Sequence, residues 1–200
     1  MNTKDLSDIL EFLRASEPLK STLRSGFTAS GRAESTAEHT WRLCLMALLF
    51  ADQYPDLDIL KLMKICIIHD LGEAINGDIP AVDQSSKSNK NIEERKDLEG
   101  LSSVLPAALK DQIMDLWDDY DQGRSKEACL AKALDKLETL LQHTQGQNPD
   151  DFDYSFNLSY GIQQTNYDEL TSKARALIDM DTAKLAEKKT KCKNTKKEIN

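Results

Sequence analysis

The sequence predicts an all-α fold, and two observations carry that prediction. Apolar residues recur about every 3.6 positions along most of the 200-residue chain, and no strand-like alternation of any length interrupts them. Only 6% of the residues are aromatic, and 8 Gly and 5 Pro are few for the many turns of an all-β sandwich. At 22.5 kDa the chain has the size of one domain with a sizeable core.

Three helices are predicted in the first part of the chain. The first covers about residues 5–16 and is followed by a Gly- and Ser-rich stretch that is expected to be irregular. The second begins at a capping box, with Ser35 as N-cap and Glu38 at the third helical position, and extends to about residue 54. The third covers about 58–70.

A long polar connection, residues 71–90, separates these helices from the rest. Connections of this length in compact domains are often functional. Beyond it the periodicity predicts four more helices, at about residues 91–104, 107–120, 126–145 and 159–181.

The charge of the chain is unevenly distributed. Thirty-four acidic and 26 basic residues give a net charge of −8, but residues 184–200 hold seven Lys against two Glu, so the remainder carries −13. We therefore expect one domain over residues 1–183 and a disordered, lysine-rich tail over 184–200. A body this acidic is a poor general nucleic-acid binder, because phosphate contacts need a basic face.

Cysteine spacing and the apolar runs bear on location. The four cysteines form no C-x-x-C pair, which argues against a zinc knuckle and suits a reducing cytoplasm. The longest apolar run, residues 43–51, is too short for a membrane span. The first twelve residues have no apolar segment of a secretory signal. We expect a cytoplasmic protein.

Two histidines and two aspartates are the candidates for chemistry. His39 lies one turn into the second predicted helix, His69 and Asp70 end the third, and Asp135 lies between leucines in a later helix. Each histidine alone is more typical of a hydrogen-bonded core residue, but buried carboxylates are costly unless they are paired or bind a metal. The third histidine, His143, is expected at the surface or as a partner of a helix dipole.

Together these four side chains can converge on one divalent cation. The set suits Mn, Co, Fe, Zn or Mg, and the imidazole nitrogens favour the borderline ions. Four protein ligands leave positions for water and a substrate oxygen, as metal-assisted hydrolysis requires.

The words around these residues resemble the HD-domain superfamily of metal-dependent phosphohydrolases, which has a helical-bundle fold. A-E-H-T-W at 37–41, H-D-L-G-E-A at 69–74, G-D-I-P at 77–80 and L-D-K-L-E at 134–138 are similar to the 5′-deoxynucleotidase branch of that family. The resemblance covers about residues 18–145. A bare H-D is a weak signal, whereas four words in this order and spacing are a strong one.

The resemblance implies a site residue by residue. Glu73 matches an acid that handles a proton, Asp78 matches a second acid that orients the attacking water or the metal shell, and Arg24 matches a phosphate-binding arginine. The resemblance further implies a (deoxy)nucleoside 5′-monophosphate substrate and a homodimer. The residues that match the family's metal ligands are His39, His69, Asp70 and Asp135.

Other functions remain as alternatives. Residues 71–134 contain no His, which argues against the dinuclear sites of cyclic-dinucleotide phosphodiesterases and di-iron oxygenases of the HD type. Glu73 is followed by Ala74, whereas alarmone hydrolases carry Glu-Asp. A deoxynucleoside triphosphate hydrolase would need more basic residues than Arg24. A catalytically inactive HD scaffold and a nucleic-acid-binding module resting on the lysine tail are the remaining possibilities.

Overall fold

Helices dominate the computed structural model, which describes residues 1–78 and 87–198, and this confirms the all-α class. The chain divides into two compact units. The first unit comprises Met1–Ser25 and Ala33–Ala131, and the second comprises Gly26–Arg32 and Lys132–Asn200. The single domain expected over residues 1–183 stays a prediction.

The first unit holds most of the helices in the order that the sequence predicts. Its core is built from leucine and isoleucine side chains on helices that pack against one another, with Leu43, Leu62, Ile65 and Leu98 fully buried. Its helices are α1 (Thr3–Ala15), α2 (Thr36–Phe50), α3 (Ile59–Ile68), α4 (Glu73–Asn76), α5 (Lys87–Leu101), α6 (Ala107–Gln122) and the beginning of α7 (Lys126–Gln145).

Two short strands correct the expectation that the chain holds none. β1 (Leu23–Phe27) and β2 (Ala33–Ser35) pair as a two-stranded sheet within the stretch that was expected to be irregular. A turn closes the hairpin, in which Gly31 takes a positive φ of 80°. Strands of five and three residues are too short to show an alternating pattern in the sequence.

The long polar connection is also more ordered at its ends than the sequence indicates. Its first part forms α4, and α5 begins at Lys87, before the predicted start near residue 91. Ile79 and Pro80 of the G-D-I-P word lie outside the described residues.

The second unit differs from the sequence prediction at both ends of its last helix. In place of one helix over 159–181 it contains α8 (Tyr154–Asn157), α9 (Ile162–Thr165) and α10 (Glu169–Glu198). Gly161, with a φ of 68°, precedes α9, and Asp168 accepts a hydrogen bond from the Thr171 amide at the start of α10.

α10 continues to Glu198, through most of the tail that was expected to be disordered over 184–200. The physical reason is composition. No Gly or Pro occurs between residues 169 and 198, and Lys, Glu and Ala are strong helix formers.

His143 is buried in the second unit, so the first of its two expected positions, the surface, is wrong, and the residue lies in the last turn of α7, where a partner of the helix dipole was the alternative. Its ring contacts Phe152 edge to face, with centroids 4.9 Å apart, and its Nδ1 lies 3.3 Å from Asn157 Oδ1.

Across the described parts of the chain, no helix combines the length and the apolar character needed to cross a membrane.

Candidate active site

The first turn of α2 is held by the predicted capping box. The Ser35 hydroxyl oxygen accepts a hydrogen bond from the Glu38 amide, and the Glu38 carboxylate accepts one from the Ser35 amide at 2.9 Å. This reciprocal cap fixes the start of α2. His39 directly follows Glu38 on this helix, and its side chain is fully buried in the core.

His39 meets the His69-Asp70 pair from the end of α3. Asp70 Oδ2 lies 3.1 Å from His69 Nε2 and 3.8 Å from His39 Nε2. One ligand atom from each of the three residues lies within 4.8 Å of the others. Both imidazoles are buried, so the first unit contains a compact set of nitrogen and carboxylate donors of the kind that divalent metals bind.

His69 is oriented as a metal-binding histidine would be. Its Nδ1 donates a hydrogen bond of 2.9 Å to the Cys66 carbonyl oxygen, one turn earlier on α3. That bond assigns a proton to Nδ1, so His69 in its neutral form would present the Nε2 lone pair on the side of Asp70, as metal binding requires. Nε2 is buried, lies 3.1 Å from Asp70 Oδ2 and makes no hydrogen bond of good geometry in the described part of the chain. A cation at this position would satisfy it, so the residues present fit a bound metal.

Asp70 is an ionised carboxylate in this setting. Burial alone would raise the pKa of its carboxyl group, but His69 and Arg24 act in the opposite direction and hold that pKa well below its usual range. The Arg24 Nη1 donates to Asp70 Oδ2 at 3.2 Å. Asp70 therefore carries the negative charge that a metal ligand needs.

Arg24 is aimed at this cluster by the hairpin. It lies on β1, and Glu34 on the neighbouring strand β2 places its Oε2 3.8 Å from Arg24 Nε. The Glu34 carboxylate also lies 4.0 Å from Arg42 Nη2 on α2. The guanidinium is mostly buried beside the candidate metal ligands, where it can contact a phosphate oxygen.

Glu73 begins α4 and is almost completely buried. The Thr36 hydroxyl donates a hydrogen bond of 3.1 Å to Glu73 Oε2. Burial, together with the nearby Asp70 and Asp78 carboxylates, raises the pKa of Glu73 to about 10. A cation bound beside Asp70 would lower that pKa, because it opposes the negative charge of these neighbours. The group can hold a proton at neutral pH.

Asp78 follows α4 and is mostly buried. The Lys90 Nζ lies 4.0 Å from Asp78 Oδ1 and 3.1 Å from Glu94 Oε1. This lysine belongs to α5, so the acid of the G-D-I-P word is paired with the helix that begins within the predicted polar connection.

Asp135 lies on α7, in the part of that helix that belongs to the second unit. Its side chain is buried, and the Lys136 Nζ lies 2.8 Å from its Oδ2. The first unit brings together His39, His69, Asp70, Arg24 and Glu73. The assignment of Asp135 as the fourth ligand stays a prediction.

Two residues of the site escaped the sequence analysis. Thr36 looks like an ordinary first helical residue, yet its hydroxyl orients Glu73, which is 37 positions further along the chain. Tyr120 on α6 contacts the His69 ring edge to face, with centroids 5.0 Å apart. No local pattern marks either residue, because each acts through a partner distant in sequence.

Comparison with known proteins adds independent findings. Residues 16–175 match a family model described as HD domain. A Bos taurus protein named 5′-deoxynucleotidase HDDC2 is 30% identical over 147 residues, which cover 72% of this chain and 71% of that protein. The Xenopus laevis protein of the same name is 32% identical over 136 residues, 67% of each.

A solved structure is similar over almost its whole length. The crystal structure of a protein from Magnetospirillum magnetotacticum MS-1, described as a predicted metal-dependent phosphohydrolase, has a TM-score of 0.78 to this chain. It is 26% identical, and the match covers 90% of this chain and 94% of that one.

Proposed function

The chain belongs to the HD-domain family, and from that premise we propose that it is a metal-dependent phosphomonoesterase acting on (deoxy)nucleoside 5′-monophosphates. The products are a nucleoside and phosphate. The relatives and the solved structure support a phosphohydrolase, and the names of the curated relatives support the nucleotide substrate.

One observation carries the proposal. Two imidazoles and an ionised aspartate lie within reach of one another, with a guanidinium 3.2 Å from the aspartate and an acid of raised pKa three residues further along. Phosphate-ester hydrolysis needs these three functions together: a cation site, an anion-binding group and a proton carrier.

The metal would be held by His39, His69 and Asp70, with Asp135 as the proposed fourth ligand. The donor set suits Mn, Co, Fe or Zn, and less well Mg, which prefers oxygen ligands. When bound, such an ion polarises a phosphoryl oxygen and lowers the pKa of a water molecule.

The other residues act on the substrate itself. Arg24 binds a phosphate oxygen and fixes the phosphorus close to the ligand cluster. The attacking water forms a bond to phosphorus as the bond from phosphorus to the 5′-oxygen breaks. Glu73, oriented by the Thr36 hydroxyl, gives its proton to the leaving 5′-oxygen, so that the nucleoside departs as an alcohol, and regains a proton from the water that has become part of the phosphate. Asp78 orients the attacking water.

A phosphate-release screen tests the proposal. Wild-type protein is assayed on a panel of ribo- and deoxynucleoside monophosphates after chelation and after return of Mn, Co, Zn or Mg. We expect chelation to abolish release and at least one of these ions to restore it. Full release from a preparation that is metal-free by elemental analysis would overturn the metal assignment.

The fourth ligand is tested separately by metal content. Asp135→Asn should bind less metal than wild type in the same elemental analysis, and Asp151→Asn, at an exposed position, is the matched control. Wild-type metal content in Asp135→Asn would remove Asp135 from the ligand set.

The homodimer and the cytoplasmic location are proposals that rest on the family resemblance and on the cysteines.

A further inference from the structure

α5 lies directly against the turn that carries the candidate ligands. A Cβ on Gly72 would lie 2.6 Å from the Glu94 carbonyl oxygen, which is closer than any side-chain carbon can approach. Gly72 stands between the His69-Asp70 pair and Glu73. The glycine therefore lets the α5 backbone contact the turn, and this contact brings side chains of α5 to the two catalytic acids.

One ammonium group faces the Asp78 and Glu94 carboxylates and the carboxyl group of Glu73 at this contact. Lys90 Nζ lies 3.1 Å from Glu94 Oε1 and 4.0 Å from Asp78 Oδ1, and the Lys90, Glu94 and Asp78 side chains are all mostly buried. Glu73 on α4 also acts electrostatically on this ammonium. Lys90 thus links Asp78 and Glu73 to α5.

Helix stability alone does not account for the Lys90–Glu94 pair. In a helical pair four residues apart, Glu before Lys is the favourable order, and here Lys precedes Glu. Partial burial adds a desolvation cost to such a pair. Its position beside Asp78 and Glu73 supplies a reason for the cost.

We propose that Lys90, held by Glu94, is a positioning residue for the reaction, fixing Asp78 and the α4 turn that carries Glu73. This inference rests on the proposed function. Lys90 acts on the substrate through the two acids and does not bind it directly, because a phosphate at its ammonium would lie beside the Asp78 and Glu94 carboxylates, which would repel it.

The test compares Lys90→Met with Lys90→Arg. Lys90→Met removes the charge, and we expect kcat to fall roughly 10- to 100-fold, the range for a misplaced catalytic group, with KM unchanged. Lys90→Arg keeps the charge and should recover most of kcat. Lys110→Met is the matched control and should keep wild-type kcat. Lys110 lies on α6, and its Nζ is 3.5 Å from Oε1 of Glu99, which lies on α5 as Lys90 does.

A second readout does not depend on activity. Hydrogen exchange of the backbone amides over residues 72–78 should become faster in Lys90→Met and return toward wild type in Lys90→Arg. Absence of phosphate release from wild type would reject the proposed function, while the exchange comparison would still test the positioning role.

Three outcomes would overturn the inference. The first is a Lys90→Met variant with wild-type kcat and exchange. The second is a loss that falls on KM alone, which would make Lys90 a substrate contact. The third is a Lys90→Arg variant as impaired as Lys90→Met, which would mean that the positive charge is not what positions the two acids.

Discussion

Glu73 is the residue whose environment departs most from that of an ordinary carboxyl group. It is buried and accepts a hydrogen bond from the Thr36 hydroxyl. The negative charges of nearby Asp70 and Asp78 favour its protonated form. It lies three residues beyond Asp70, and we assign it no role as a ligand. Proton transfer and metal binding should therefore be separable at this position.

Glu73→Gln keeps the shape of the side chain and removes its acidity. We expect kcat to fall roughly 10²- to 10⁴-fold, the usual contribution of a general acid or base, with metal content unchanged. Steady-state kinetics and elemental analysis on one preparation measure both. Loss of the metal would identify Glu73 as a ligand, and a wild-type kcat would remove it from the mechanism.

The same variant makes a prediction about stability in the metal-free protein. The pKa of Glu73 is about 10 in the folded state against an ordinary 4.5, so the folded state retains a proton that the unfolded chain releases. The contribution of Glu73 to the free energy of unfolding is fully present below pH 4.5 and is lost as the pH rises from 4.5 to about 10.

Glu73→Gln removes this titration. The free energy of unfolding of wild type should therefore fall relative to that of the variant as the pH rises from about 5 to about 9. Urea unfolding at both pH values, with chelator present, measures the difference. A difference that is independent of pH would mean that burial does not perturb Glu73 in this way.

Arg24 makes the third prediction at the residue scale. Arg24→Ala removes a charge-assisted phosphate contact of about 1.5–3 kcal/mol, so KM for a monophosphate should rise roughly 10- to 100-fold. Arg14→Ala, at an exposed position on α1, is the control and should keep the wild-type KM. An unchanged KM in Arg24→Ala would show that the phosphate is bound elsewhere.

At the scale of elements, two glycines should respond in opposite directions to the same change. In Gly72→Ala the new methyl group would lie 2.6 Å from the backbone oxygen of Glu94, so α5 must move and the protein should lose about 1–3 kcal/mol together with turnover. Gly100 lies within α5 with open space around it, and Gly100→Ala should gain about 0.5–1 kcal/mol.

Chemical denaturation and kcat for the two variants test this contact. Equal stability changes, or a stable Gly72→Ala variant with wild-type turnover, would show that α5 is not tightly docked on the ligand-bearing turn.

Long periodic elements could be predicted from the sequence, and short elements could not. α7 has the predicted bounds, and the Ser35–Glu38 box marks the start of α2, because periodicity and capping are local signals. β1, β2 and α4 have three to five residues each, which is too short for a period to be visible.

The same physical limit applies to the site. His39, His69 and Asp70 could be proposed from the sequence because polar residues interrupt apolar helical faces there. Thr36 and Lys90 could not, because each acts on a carboxyl group of another element. Thr36 looks locally like an ordinary helical residue, and Lys90 looks like one of several polar residues in the long connection.

At the scale of the whole molecule, the outer face of α2 bears on assembly. Large apolar side chains lie exposed along it, namely Trp41, Leu45, Leu48 and Leu49. An apolar surface of this kind is typical of an interface, and the family resemblance favours a second copy as its partner.

Light scattering on the eluting protein should give twice the chain mass of 22.5 kDa for wild type. Leu49→Glu should shift that mass toward the monomer, because a charge would be buried in the contact. Leu177→Glu, at an exposed apolar position on α10, is the control and should remain dimeric. A monomeric wild type, or a dimeric Leu49→Glu, would reject this face as the dimer contact.

The charge of the whole chain bears on substrate size. The net charge is −8, and one arginine is matched to the phosphate-binding position. A triphosphate carries about two more negative charges than a monophosphate, so an acidic protein with a single matched cation should disfavour it.

The most direct test of the central claim is kcat/KM for the mono- and the triphosphate of one deoxynucleoside, measured on the same metal-loaded preparation. A metal-dependent nucleoside monophosphatase should show the higher kcat/KM on the monophosphate and release inorganic phosphate. A higher value on the triphosphate, with inorganic triphosphate as the product, would contradict the account and identify a triphosphohydrolase.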